Sequence, residues 1–248
     1  MSLAPEPSFA ATYWQTPPRP LESLAFIAPL LLGYEGGLLA LGPQAMRNGA
    51  DHWLRQLLDM AGFSQYFLLP LLTVGLLLGW HHLAHAPWRC SWKTVAAMWL
   101  EAIVFAFLLR LFAGWGNHFL AAGKEAASPW LSQLGRLVSF LGAGIYEELL
   151  FRLLLLPALA WGLIRYGWKT DRGWQLAVLL SSLIFAAAHY QWNLPFGLNW
   201  NFGGEHFAWR SFLFRCVAGV FFALLYLKRG FGIAAGAHAF YDILVGWR

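Results

Sequence analysis

The sequence predicts an all-α, polytopic bundle embedded in a membrane, and three observations carry that prediction. Hydrophobic residues make up 59% of the 248 and charged residues only 12%, against about 25% charged in a soluble domain. Apolar runs of roughly the 20 residues needed to cross a bilayer recur along the chain. Fifteen Trp and eight Tyr suit the aromatic belts of membrane–water interfaces. The net charge of +5 is what a positive-inside bias produces. With no basic cluster and no soluble domain to hold one, a nucleic acid is excluded as a partner. Cys90 and Cys216 form neither a framework nor a CxxC motif, so a disulfide between them is unsupported.

The chain divides into residues 1–23, 24–130 and 131–248. The first is a Pro-rich tail (Pro5, Pro7, Pro17, Pro18, Pro20) without the pattern of a cleaved signal peptide, and it is expected to be irregular. Residues 24–41 form the first span, interrupted by Gly33, Glu35 and Gly37. Glu35 reads either as a buried charge or as part of a loosened helix end, and the glycine pair as a face that another helix can approach. In the 43–62 connector, Arg47, Asp51, Arg55 and Asp59 recur every four residues. One charged face of that kind predicts a helix lying on the membrane surface. Residues 60–80 are the second span, followed by His81, His82 and His85, which read as interfacial loop histidines rather than metal ligands because no acidic ligand sits beside them. Residues 94–112 are the third span, with Arg110 near its end and Glu101, for which an ion pair with another helix is expected. A connector with Lys124 and Glu125 fills 113–130.

Residues 131–166 are too long for one simple span and short for two with a turn. Loop charge decides between them. One crossing puts Arg19, Arg89, Lys93, Lys169, Arg172, Lys228 and Arg229 inside, with Arg47, Arg55, Lys124, Arg210 and Arg248 outside. Two crossings reverse the bias. About seven (seven to eight) transmembrane helices follow, with spans at 174–192, 210–227 and 231–247 and an Asn-, Gly- and Trp-rich loop at 194–209. Counting from the turn near Lys169 at about 1.5 Å per residue places Glu147 and His189 at similar depth. Asp242 lies in the same half of the membrane, so the three can share a cavity, which on this topology opens to the non-cytoplasmic side.

The chemistry concentrates in the C-terminal half. Glu147, Glu148 and Arg152 interrupt an apolar run, and charges at membrane depth are costly and usually functional. On an α-helix Glu148 and Arg152 are i and i+4 and can pair, while Glu147 points about 100° away from Glu148 and needs another partner. Downstream lie Phe185 one turn before His189, and His238 one turn before Asp242. A carboxylate with two imidazoles can ligate a metal that activates water. It can also act as general base while other groups hold an oxyanion. Glu147, His189 and His238 are the set for a zinc ion. The HExxH spacing of one-helix zinc sites is absent, so metal-independent chemistry is favoured, with no cofactor favoured and zinc as the alternative.

Glu147-Glu148-Leu-Leu-Phe-Arg152 matches EExxxR, Phe185-Ala-Ala-Ala-His189 matches FxxxH, and His238-Ala-Phe-Tyr-Asp242 matches HxxxN/D. In this order they resemble the three motifs of the CPBP (Abi, CAAX-protease-like) family of intramembrane proteases, over roughly residues 131–247. The resemblance implies a CAAX-protease-like helical core in a bacterial inner membrane. It implies an endopeptidase acting on a membrane-associated protein or peptide. Carried over by position, Glu147 is the general base and His189 orients the same water. His238 and Asp242 hold the oxyanion or complete the water site, with Glu148, Arg152 and Phe185 in support. Asp242 stands where CAAX-cleaving members have Asn, and an ionised Asp cannot donate to an oxyanion. Two other classes compete: a non-catalytic immunity or scaffold protein on the same fold, and a proton-coupled transporter. The intact Glu–His set argues against the first, and the lack of a visible inverted repeat against the second.

Overall fold

A computed structural model describes residues 9–42, 45, 47–115, 129–193, 199–200 and 205–246. Lys124, Glu125, Arg248, the first prolines and most of the 194–204 loop lie outside the described residues.

The architecture is the expected helical membrane bundle. Helix α1 is Phe9–Gln15, α2 Pro20–Leu41, α3 Gly49–Met60, α4 Leu68–Leu83 and α5 Trp92–Trp115. Helix α6 is Pro129–Gly142 and runs through two π-helical segments, Ala143–Glu147 and Leu149–Leu155, into α7 at Leu156–Arg165. Helices α8 Thr170–Ala187, α9 Trp209–Arg229 and α10 Phe231–Gly246 complete it. Helices α2, α5 and α9 are long and apolar enough to cross a membrane, while α4 and α10 are shorter apolar helices. The seven runs read as crossings correspond to α2, α4, α5, the α6–α7 path, α8, α9 and α10. Apolar side chains face outward as well as inward: Leu100, Ile103, Phe107 and Leu111 of α5 are exposed while Met98, Ala102 and Ala106 are fully buried. A helix apolar all round belongs in lipid or in a large core.

Helix α10 occupies the centre, packed against α2, α5, α9 and the first π segment. Small residues allow this, since Gly232, Ala234, Ala235, Gly236 and Ala237 are all buried. A Cβ on Gly144 would meet the Ala235 carbonyl and Ala239, so the π segment and α10 touch backbone to backbone.

Several expectations change. The N-terminal tail contains a short helix, α1, anchored by Tyr13, whose hydroxyl donates to Glu101. Glu101 also pairs with Arg229 at 2.7 Å, the interhelical ion pair expected of it. Helix α2 runs unbroken through Gly33–Gly37. The glycine face is where α6 approaches, because a Cβ on Gly37 would strike Val138. Glu35 is buried and accepts from Tyr146 at 2.7 Å. The charged face of α3 is exposed at Asp59 and fully buried at Asp51. Asp51 accepts from Tyr34 at 3.0 Å, Arg47 at 2.9 Å and Arg55 at 2.7 Å. Four-residue spacing marks one face of a helix but does not say whether that face meets water or protein. His81 ends α4 buried rather than in an exposed loop, with its ring edge-on to Trp88 at 4.7 Å. Trp192–Asn193 (β1), just before the 194–209 loop, pairs antiparallel with Asn199–Trp200 (β2) inside it.

Candidate active site

Glu147 sits at the end of the first π segment and Glu148 joins it to the second. A π turn closes i→i+5 rather than i→i+4, so each residue advances less around the axis than in an α-helix. Two consecutive carboxylates can then reach one neighbour, and both reach His238. Glu148 Oε1 lies 2.7 Å from His238 Nδ1, and Glu147 Oε2 lies 3.7 Å from His238 Nε2. The α-helical expectation that they diverge by about 100° gives way here for that reason.

Glu148 also pairs with Arg152 at 3.2 Å, as the i,i+4 spacing predicts. Both side chains are buried. Arg152 lies 4.2 Å over the Phe185 ring and donates to the Gly219 carbonyl at 3.3 Å. This cation is therefore desolvated by rings and one carbonyl and balanced by one carboxylate, which is how a charge persists in an apolar bundle.

His189 lies two residues beyond the end of α8. The helix stops at Ala187, short of the 192 expected, and His189 Nδ1 contacts the Phe185 carbonyl at 2.8 Å. A carbonyl only accepts, so Nδ1 carries the proton and caps a terminal helix carbonyl. Its Nε2 then faces Glu147 Oε2 at 3.7 Å. The Phe185 ring packs on His189 at 4.8 Å, as the FxxxH spacing predicts.

His238 is fixed from two sides. Glu148 accepts from Nδ1, and the Phe222 ring stacks on the imidazole at 4.5 Å and 11°. The expected His238–Asp242 pair is present, Nε2 to Oδ2 at 3.7 Å, but is too long to be the hydrogen bond that orients the ring. Glu148, on another helix, takes that role. Glu147 Oε2 is thus 3.7 Å from the Nε2 atoms of both histidines.

Sequence reasoning missed Asn48. Its Nδ2 donates to Glu147 Oε1 at 2.9 Å while its Oδ1 accepts from the Ala50 amide at 2.8 Å. The only available signal was local, an Asn directly before a helix, the ordinary N-cap choice. Arg215 and Glu205 were missed too. They form a two-point pair at 2.9 and 3.2 Å, and Arg215 also reaches the Tyr190 hydroxyl at 2.9 Å. Asn48, Glu205 and Arg215, with Trp53, Phe151 and His189, line a cleft of about 220 Å³ at Glu147.

The donor set of two imidazoles and a carboxylate suits zinc chemically. Among the described residues, however, no three His, Cys, Asp or Glu side chains are arranged to hold a metal ion.

A buried carboxylate facing two imidazole nitrogens across a gap, at the end of an open cleft, is an arrangement for moving a proton to or from a small molecule lodged between them. Among known proteins, the family model described as "Type II CAAX prenyl endopeptidase Rce1-like" matches residues 129–244. No curated protein and no solved structure matches the chain. The matched segment runs from the first residue of α6 into α10 and holds Glu147, Glu148, Arg152, His189, His238 and Asp242. Such a family implies protease activity on a membrane-associated protein. Residues 129–244 of this integral membrane protein are thus similar to the Rce1-like family of CAAX-type proteases.

Proposed function

We propose that the protein is an intramembrane endopeptidase of the glutamate type, in which Glu147 and His189 activate water. The observation that carries this reading is the 3.7 Å separation of Glu147 Oε2 from both Nε2 atoms. One water can hydrogen-bond to both sides of such a gap at about 2.8 Å. His189 offers an unprotonated Nε2 to orient it, because its Nδ1 proton is committed to Phe185. Glu147 takes a proton from the water as its oxygen bonds to the scissile carbonyl carbon. The tetrahedral oxyanion is held by His238, donating from Nε2 as imidazolium, beside Asp242. Glu147 then passes the proton to the amine as the C–N bond breaks. Water is consumed, and an acid and an amine result. The substrate reaches Glu147 through the cleft between Asn48, Phe151 and Arg215.

The test uses protein in liposomes with prenylated CAAX peptides and unmodified membrane-spanning peptides as probes. Glu147→Gln and His189→Ala are each expected to lower kcat by about 10²–10⁴, the range for general acid–base groups. Their melting temperatures in detergent should stay near wild type. Cleavage at wild-type rate by both variants would overturn the reading.

A further inference from the structure

Glu147 has two oxygens, and the site distinguishes them. Oε2 faces the histidines. Oε1 is occupied by Asn48, which belongs to a different part of the chain, 99 residues earlier. We infer that Asn48, outside the family-matched segment, is the positioning residue that commits Oε2 to the reaction. This rests on the glutamate reading above.

The side chain of Asn48 does two jobs with its two ends. The carbonyl end caps α3 through the Ala50 amide, and the amide end donates to Glu147. Among good N-caps, Ser and Asp can do the first, but an ionised Asp cannot do the second because it only accepts. Asn48 is itself held by buried groups. Its backbone amide lies 3.4 Å from the Tyr34 hydroxyl, which donates to Asp51 at 3.0 Å. Asp51, fully buried, collects Arg47 and Arg55. Arg55 reaches Glu35 at 3.3 Å, and Glu35 accepts from Tyr146, the neighbour of Glu147 in the chain. The polar network therefore leaves the site through Asn48 and returns to it through Tyr146. Its members on α2 and α3 touch no reacting atom, and their common product is the orientation of one carboxylate. Burial disfavours the Arg47 cation, but its hydrogen bond to Asp51 and that carboxylate's charge outweigh this and raise its pKa.

Asn48→Asp separates the two jobs. It keeps the helix cap, removes the donor to Glu147 and sets a second carboxylate against it. In liposomes with whichever probe peptide the wild type cleaves, kcat should fall by about 10², the cost of a misplaced reacting group, with KM unchanged. Activity should return as pH is lowered, because a protonated Asp regains one O–H to donate; a merely structural role gives no such recovery. Asn48→Ser should keep the cap and lose activity without the acid recovery. Independently of cleavage, thermal melts should show the loss of stability in Asn48→Asp disappearing when Glu147→Gln is added, since a neutral amide offers a donor to the introduced carboxylate. Wild-type kcat in Asn48→Asp, or melts in which the two substitutions simply add, would overturn the inference. Full activity in Asn48→Asp together with loss in Glu147→Gln would remove Asn48 and leave the glutamate reading standing.

Discussion

Arg152 is fully desolvated, and its carboxylate partner Glu148 is shared with His238. Removing one member of such a set leaves an uncompensated buried charge, so Arg152→Met is expected to destabilise the protein by about 3–5 kcal/mol. Unfolding of the variant in detergent measures this; a loss below about 1 kcal/mol, the worth of an exposed pair, would contradict it. The Glu148–Arg152 pair was legible in the sequence because helical spacing fixes i,i+4 neighbours. The Glu148–His238 contact was not, because it spans 90 residues. The local spacing offered Asp242, which does lie 3.7 Å from His238, but only the tertiary arrangement brings Glu148 to 2.7 Å. Asn48 was illegible for the same reason: an N-cap residue announces its helix, not the distant acid that its other end meets.

At the scale of the element, the π segments carry the site. They sit where α6–α7 crosses α10, and the crossing is close because Gly144 has no Cβ: one built there would lie 2.5 Å from the Ala235 carbonyl and 2.6 Å from Ala239. Gly144→Val is expected to cost about 1–3 kcal/mol by overpacking. It should also lower cleavage by more than its loss of folded protein explains, because it moves Glu147 away from His238. Melting curves and rates per folded molecule from the same preparation separate the two effects. Apolar length announced these helices in the sequence, and the Gly33/Gly37 face announced a close neighbour. Backbone detail was not announced. The π turns come from packing rather than composition, and α8 ends before His189 because that side chain, not another helical turn, satisfies the Phe185 carbonyl.

Across the whole molecule, the N-terminal half is more than a membrane anchor. Its α2 and α3 deliver Asn48, Asp51 and Glu35 to the back of the Glu147 segment, and its α5 holds α9 and α1 together through Glu101, Arg229 and Tyr13. The family motifs lie in residues 131–248, and the family match over residues 129–244 falls on the same part of the chain. Residues 24–130 showed no role in the sequence, because their contribution is a set of single side chains at no shared spacing. Four-residue charge spacing predicted a helix in the 43–62 connector; α3 is that helix, and its Gly49, Ala50 and Trp53 line the cleft.

The central claim is that Glu147, rather than a bound ion, activates the water. One assay tests it most directly: cleavage in liposomes by chelator-treated wild type beside untreated Glu147→Gln, on the same probe peptide. The account predicts that the treated wild type still cleaves and that Glu147→Gln does not. Cleavage by Glu147→Gln at the wild-type rate would contradict it, as would loss of wild-type activity on chelation with recovery on adding zinc alone.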